Sequence, residues 1–215
     1  LFCQDPYVGR NEVAAPNLPS HPWPPTPARA PFDSIQYATP RLPSTCVIRK
    51  PEKLTLQGSE SLESCFEQAM LARRLTTQQA AAKTKIQFKP DSFQQMAGLV
   101  VYYNNHLFHY LYLTYDEEFG TCLQIHSCDD GTSSFPLAEH PVSVSRSELF
   151  FKVEIDHCRL QFFWSNDDQT YTPVGDELDA SILSDDHGKH WGFTGSFIGL
   201  ACQDLTGGRQ PAEFD

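Results

Sequence analysis

The stretches "AGLVVYYNN" (residues 97–105) and "HYLYLTYDEEFG" (residues 109–120) decide the fold class of this chain. The first is a continuous run of β-branched and aromatic residues that ends in Asn-Asn. The second alternates apolar and polar residues before a Glu-Phe-Gly turn. Runs of this composition, bounded by turn residues, are typical of β-strands. The two stretches therefore predict two strands.

Short runs of the same kind recur along the chain after about residue 47. They are separated by turn residues, at intervals of roughly ten to fifteen residues, which is typical of an antiparallel sandwich or barrel. The sequence therefore predicts an all-β fold. The further runs are "KLTLQG" (53–58), "TCLQIHSCDDG" (121–131), "ELFFKVEIDHC" (148–158), "RLQFFWSNDD" (159–168) and "GSFIGLACQD" (195–204).

One segment, "SLESCFEQAMLARRLTTQQAAAK" (61–83), has the Ala, Gln, Glu, Leu and Arg content of a helix. Propensity alone favours a helix here. A helix would interrupt an otherwise all-β succession, so we interpret the region as two strands, "CFEQAMLARRL" (65–75) and "KTKIQFKP" (83–90). The stretch "TTQQAAAK" (76–83) is poor strand material and is the weak point of this prediction.

The region before the strands is rich in proline. Residues 14–43 contain nine prolines, and proline fixes φ and removes a backbone donor, so no helix or central strand can run through most of this region. Trp23 and Phe32 lie among the prolines, which suggests an arm that buries its aromatic side chains on a neighbouring surface. We predict an extended arm over residues 1–30 and a β-sandwich domain over residues 31–215.

Charge and composition exclude several classes of partner. The net charge of −11 disfavours binding to nucleic acid or to an anionic membrane surface, because like charges repel. No stretch approaches the roughly 20 apolar residues that span a bilayer. The seven cysteines repeat no paired motif such as CxxC, so we expect reduced thiols, a cytoplasmic location and no structural zinc.

The candidate chemical groups point to turns rather than to a catalytic centre. Adjacent carboxylates on a strand point to opposite faces, and three of the four acidic pairs lie beside Gly, Asn or Ser, so we expect solvated turns. His187 and His190 flank "GK" and are expected in a polar loop. Aromatic clusters such as Tyr102-Tyr103 and Phe162-Phe163-Trp164 fit a sandwich core or a sugar-stacking face, and composition does not choose between them. The acidic pairs are Glu117-Glu118, Asp129-Asp130, Asp167-Asp168 and Asp185-Asp186.

Several pieces of the chain, in order and with matching spacing, resemble a known family. The most specific are "SFQQMAGLVVYYN" (92–104) and "GFTGSFIGLACQD" (192–204), and "LTLQGSESL" (54–62) and "YLTYDEEFG" (112–120) add to them. The chain resembles the C-terminal half of bacterial β-xylosidases of glycoside hydrolase family 43. The resemblance implies a concanavalin A-like antiparallel β-sandwich, or jelly roll, preceded by a Pro-rich connecting arm.

The resemblance also implies where catalysis occurs. In the family, a five-bladed propeller N-terminal to the sandwich carries the catalytic Asp, a pKa-modulating Asp and the general-acid Glu, so we expect these upstream of residue 1. No carboxylate of this chain is assigned a catalytic role. The full enzymes are inverting exo-hydrolases that remove xylose from the non-reducing end of xylo-oligosaccharides, often with α-L-arabinofuranosidase activity. The sandwich is implied to complete the active-site pocket and to take part in a homo-oligomer.

Two groups of site residues follow from the resemblance. An aromatic residue on a loop of the sandwich reaches the rim of the propeller's pocket, and the matching segment is "HWGFTG" (190–195), with Phe193 as first choice and Trp191 as second. The alternative is that Phe193 is a core residue. Sandwiches of this type often hold a structural calcium, and Asp33, Glu60 and Asp215 match acidic residues of relatives; backbone carbonyls and water would complete the shell.

Two other functions compete with the accessory-domain hypothesis. A free-standing lectin-like module would bind xylan or another glycan on an aromatic face, without a propeller. A structural oligomerisation domain would bring none of its residues near sugar. Titration with xylo-oligosaccharides separates the binding module from the other two.

Overall fold

The computed structural model describes residues 47–50, 53–189, 192 and 194–215, the first four by their backbone alone. These residues form fourteen strands and one short 3₁₀ helix, Ala180–Leu183. The predicted arm, residues 1–30, lies outside them. The strands are β1 Val47–Lys50, β2 Lys53–Gln57, β3 Ala69–Arg74, β4 Gln79–Gln87, β5 Gln95–Asn104, β6 Leu107–Asp116, β7 Gly120–Asp129, β8 Thr132–Ser134, β9 Val142–Ser143, β10 Glu148–Asp156, β11 Arg159–Ser165, β12 Thr172–Asp179, β13 Phe197–Asp204 and β14 Pro211–Phe214.

The strands form two sheets of a sandwich. The first sheet has the order β1-β2-β14-β4-β10-β11-β12, and the second has the order β3-β13-β5-β6-β7-β8, with β9 also paired to β7. Every ladder between these strands is antiparallel. The all-β antiparallel sandwich predicted from the strand cadence is confirmed.

The two decisive stretches form β5 and β6, which pair in the middle of the second sheet. Their side chains divide by strand alternation: Leu99 and Leu111 face the core between the sheets, whereas Val100 and Tyr110 belong to a second apolar cluster. The continuous apolar run of β5 is therefore explained by burial on both faces. Gly98 permits this close pairing, because a methyl group there would lie 2.0 Å from the Leu111 carbonyl oxygen.

The core between the sheets is built from alternating residues of both layers. The first sheet contributes large side chains such as Ile86, Phe151 and Phe162, all with 0% exposure. Apolar surface removed from water contributes roughly 25 cal/mol per Å², so these rings and branched chains stabilise the face-to-face contact of the sheets. The 3₁₀ helix adds Ile182 and Leu183 to the same core, which fixes the starting point of the following loop.

The segment of uncertain structure, residues 61–83, contains no helix among the described residues. It forms β3 and the first half of β4, so the interpretation as strands is confirmed. The predicted start of the second strand at residue 83 is wrong, because β4 begins at Gln79. The reason is pairing: β4 is bonded to β10 along its whole length, from Gln79 opposite Asp156 to Gln87 opposite Glu148. Ladder formation thus overrides the low strand propensity of the Ala-rich stretch.

Two further findings concern the oxidation state of the cysteines and the search for a membrane-spanning helix. Cys158 is disulfide-bonded, whereas Cys65, Cys122, Cys128 and Cys202 are free thiols. The expectation of reduced thiols therefore holds at those four positions and is wrong at Cys158. In the described part of the chain, no helix has the length and apolar character needed to cross a bilayer.

Candidate functional site

The segment that joins the 3₁₀ helix to β13, residues 184–196, is the candidate functional loop. It contains the positions for which the resemblance implies a pocket aromatic. Phe193 and Trp191 lie outside the described residues. Their neighbours are described, and they show how the loop is held against the second sheet.

Tyr103 fastens the loop to β5. Its ring is buried in the core with 3% exposure, and its hydroxyl donates a hydrogen bond of 2.6 Å to Asp185 Oδ1. The same carboxylate oxygen accepts the backbone N–H of Gly195 at 3.4 Å. Burial, together with the adjacent carboxylate, raises the pKa of Tyr103 to about 12, so the hydroxyl stays a proton donor at neutral pH.

Glycine is required where the loop passes over Tyr103. A methyl group at Gly192 would lie 2.2 Å from the Tyr103 hydroxyl oxygen, which is far inside van der Waals contact. Gly195 adopts a φ of +68°, a left-handed conformation that side chains other than glycine's disfavour. Gly192 therefore allows the backbone of the loop to approach Tyr103 closely, and Gly195 allows a sharp turn.

The first half of the loop is also tied to the β7–β8 turn. His187 Nε2 lies 2.6 Å from Asp129 Oδ1, and the backbone N–H of Lys189 donates to Asp130 Oδ1 at 3.1 Å. The φ of Asp130 is 50°, within the left-handed region that Asp tolerates in a turn. These contacts are largely exposed, so each contributes little stability alone. Together with the Tyr103 bond they hold residues 185–189 of the loop.

A cavity of about 250 Å³ opens beside this loop. Arg74, the last residue of β3, lies on its wall, with its guanidinium carbon 5.5 Å from the centre of the Phe197 ring. Asp185 lies on the wall as well. We call this space the Arg74 cavity. Its lining residues are Arg74, Leu75, Thr76, Thr77, Gln78, Leu183, Ser184, Asp185, Gly195 and Ser196.

All four acidic pairs lie in turns or bends, or at the strand ends beside them, as the sequence predicts. Their carboxylates serve local structure: Asp167 accepts the backbone N–H groups of residues 169 and 170, and Asp168 accepts from Lys83 Nζ at 2.8 Å. These bonds lower the pKa of both groups. Hydrogen bonds from backbone N–H groups are the largest cause for Asp167, and the hydrogen bond from Lys83 is the largest cause for Asp168. Both carboxylates therefore stay ionised; Asp167 caps its turn, whereas Asp168 forms an ion pair with Lys83 of β4.

The structure describes two of the three residues proposed for calcium. Glu60 accepts hydrogen bonds from the Ser64 hydroxyl and the Glu67 backbone N–H, beyond the end of β2. Asp215 follows β14 beside Lys53, at the start of β2.

No group of three or more His, Cys, Asp or Glu side chains suited to a metal occurs in the described ranges. Asp33 lies outside them. The calcium site on Asp33, Glu60 and Asp215 stays a prediction, and no step of the function is derived from it.

The aromatic cluster of the second sheet is core rather than an open sugar-stacking face. Tyr102, Phe108, Tyr110 and Tyr112 lie on the face of the second sheet that points away from the first, and each is at most 4% exposed. The Tyr110 hydroxyl donates to the Ala201 carbonyl, and burial raises its pKa well above the ordinary value. No ring face in this cluster is available to a pyranose ring.

Comparison with known proteins identifies the chain. Residues 31–215 match the family described as "Beta xylosidase C-terminal Concanavalin A-like domain". The chain belongs to this family. The match covers all the described strands, so the sandwich is of the concanavalin A-like type.

Whole relatives of this family domain are longer than the chain. It is 35% identical to the β-xylosidase of Bacillus subtilis (strain 168), an alignment that covers 100% of this chain and 44% of that protein. It is 33% identical to the xylan 1,3-β-xylosidase of a Vibrio species, covering 95% of this chain and 39% of that protein. Among solved structures, the xylan β-1,4-xylosidase from Bacillus halodurans C-125 superposes with a TM-score of 0.79 at 35% identity, over 94% of this chain and 41% of that one. The chain thus spans less than half the length of these relatives.

Sequence reasoning located the loop but missed what holds it. Tyr103 and Asp185 are separated by 82 residues, and His187 and Asp129 by 58. In the sequence, Tyr103 is one of many aromatic residues of a strand, and Asp185 is one of several acidic turn residues. The only local hint was the pair of glycines around position 193, which marked a place of tight backbone geometry.

Proposed function

We propose that this chain is the accessory C-terminal β-sandwich of a glycoside hydrolase family 43 β-xylosidase, and that it works when joined to an N-terminal catalytic propeller. The observation that carries the proposal is the family match over residues 31–215, combined with relatives of which this chain covers only the smaller part.

The proposed role of the domain is to complete the active-site pocket. A pocket for a terminal xylose excludes water better when an apolar side chain covers it, and the residue 184–196 loop would supply that side chain, with Phe193 as first choice and Trp191 as second. The contacts of Tyr103, Asp185 and His187 support this role, because a loop that is already held by such bonds loses less conformational entropy when it meets another domain.

Catalysis by the longer protein tests the accessory role directly. The isolated chain should release no xylose from an aryl xyloside, whereas the longer polypeptide encoded by the natural reading frame should. Release of xylose by the isolated chain, or an inactive longer polypeptide that is folded, would contradict the proposal. An aryl arabinofuranoside in the same assay tests the second activity, and light scattering tests the homo-oligomer.

A substitution tests the lid itself. In the longer polypeptide, Phe193→Ala should lower kcat/KM about tenfold or more, because covering one aromatic side chain contributes ~1.5–3 kcal/mol. Trp191→Ala reports on the second choice. The matched control is Phe66→Ala, which removes a phenylalanine that is 78% exposed. If Phe193→Ala and Phe66→Ala have the same kinetics as the unchanged enzyme, Phe193 does not act as the lid.

The buried aromatic cluster of the second sheet gives no support to the lectin-like alternative. That alternative requires an open aromatic face, and the aromatic cluster of the second sheet is buried. No described observation favours a glycan held on that face.

A further inference from the structure

We propose that the Arg74 cavity is a carbohydrate-binding site that holds a single neutral sugar ring. It is a different place from the buried aromatic face, and it is formed wholly by described residues at the base of the candidate functional loop. That the sugar is a xylosyl unit rests on the proposed function. The polar character of the ligand rests on the cavity alone.

Arg74 supplies the donors. Its guanidinium stacks on Phe197, 5.5 Å from the ring centre, and makes no salt bridge or hydrogen bond within the described part of the chain. Stacking on an aromatic ring holds the planar group in place while its N–H donors stay available. In a protein with a net charge of −11, an arginine without an acidic partner beside a cavity is poised for a ligand.

The rest of the lining selects for a neutral ligand with several hydroxyl groups. Asp185 lies on the same wall as Arg74, and Thr76 and Ser184 add hydroxyl groups. A carboxylate ligand would be repelled by Asp185, and an ammonium ligand would be repelled by Arg74. A sugar hydroxyl can accept from one group and donate to the other, so a neutral polyol satisfies both.

The dimensions and apolar parts of the cavity agree with one ring. Its volume of about 250 Å³ is below the ~300–1,000 Å³ typical of pockets for larger ligands, so a long oligosaccharide would not fit inside. Leu75, which is half-buried, lines it beside the polar groups and can cover the C–H face of a pyranose ring. The cavity shares Asp185 and Gly195 with the loop, so a sugar bound there would lie next to the proposed pocket rim.

Binding to the 215-residue chain tests the proposal. Xylose, xylobiose and glucuronic acid are titrated by calorimetry and by NMR into protein whose folding is checked by circular dichroism. We expect saturable binding of xylose and xylobiose in the millimolar range, and weaker binding of glucuronic acid because of Asp185. Absence of saturable binding to the folded chain, or a preference for glucuronic acid, would overturn the proposal.

Variants locate the site. Arg74→Met keeps part of the apolar stem of the side chain but removes the guanidinium donors, and should weaken xylobiose binding at least tenfold. Thr76→Val should weaken it several-fold. The matched control is Arg73→Met, at the neighbouring exposed position of β3, which should stay within twofold of the unchanged protein. Equal binding by the Arg74 and Arg73 variants would place the sugar elsewhere and overturn the assignment.

The result of this binding test can be distinguished from the result of the hydrolysis test of the proposed function. If the longer polypeptide hydrolyses aryl xylosides but the chain binds no sugar, the Arg74 cavity assignment fails and the accessory role stands. If the chain binds xylobiose through Arg74 but the folded longer polypeptide is inactive, the accessory role fails and the binding site stands.

Discussion

Replacing Tyr103 by phenylalanine removes one oxygen atom and tests whether the candidate loop is fastened from beneath. The ring stays in the core between the sheets, so no cavity opens and the packing of β5 is kept. What is lost is the 2.6 Å hydrogen bond to Asp185, which in turn accepts from the Gly195 backbone. Among the described residues, the loop then keeps the bond from the Ser196 hydroxyl to the Leu183 carbonyl and its exposed contacts to the β7–β8 turn.

The size of the effect follows from the nature of the bond. A hydrogen bond to a charged partner contributes ~1.5–3 kcal/mol, and a neutral one ~0.5–1.5 kcal/mol. Asp185 is only half-buried, so water can replace the lost donor and the upper part of the range does not apply. We expect Tyr103→Phe to lower the free energy of unfolding by about 1–2 kcal/mol, a shift of roughly half a molar in the urea midpoint.

Urea unfolding monitored by circular dichroism measures this change. Tyr115→Phe is the matched control, because Tyr115 is half-buried on β6 and its hydroxyl makes no hydrogen bond within the described residues; it should change stability by less than ~0.5 kcal/mol. A double-mutant cycle with Asp185→Asn should give a coupling energy of about 1 kcal/mol. If the two tyrosine variants are equally stable, or if the cycle is additive, Tyr103 does not fasten the loop.

Three further changes have defined outcomes. Gly98→Ala places a methyl group 2.0 Å from the Leu111 carbonyl oxygen, so unfolding free energy should fall by about 3 kcal/mol or more in urea titrations; a loss below about 0.5 kcal/mol would show that β5 and β6 separate easily. Burial lowers the pKa of His109 below its ordinary 6.5, so the unfolded state binds the proton more readily; stability is complete above pH 6.5 and is lost as pH falls through the lower, folded-state pKa. Urea unfolding between about pH 7.5 and about pH 5.5 should therefore show a shallower pH dependence for His109→Gln than for the unchanged protein, and equal slopes would rule out this role. Under native conditions, peptide mapping after alkylation should find Cys65 modified well before Cys122, because Cys65 is exposed whereas burial raises the pKa of Cys122 to about 11; equal rates would contradict this.

The predicted site was found only in part from the sequence. The loop was located through its glycines and through the family resemblance, and Gly192 and Gly195 do have the tight geometry expected of them. The Tyr103–Asp185 bond and the stacking of Arg74 on Phe197 were missed. Both join residues that no local pattern connects, because the sheet brings β5, β3 and the loop together from distant parts of the chain.

The sequence by itself determined the fold class. Hydrophobic period and turn chemistry are local properties, so they can be read within a window of a few residues, and the runs that form β5, β6, β10, β11 and β13 predicted their strands correctly. Tertiary structure alone decided where β4 begins. The Ala-rich stretch has a low strand propensity, and its hydrogen bonds with β10 keep it in the sheet. Tertiary structure also decided that the aromatic face is closed to sugar and that a polar cavity opens beside Arg74. Burial and cavities depend on which distant surfaces meet, and that information lies in the packing of the two sheets rather than in any single segment.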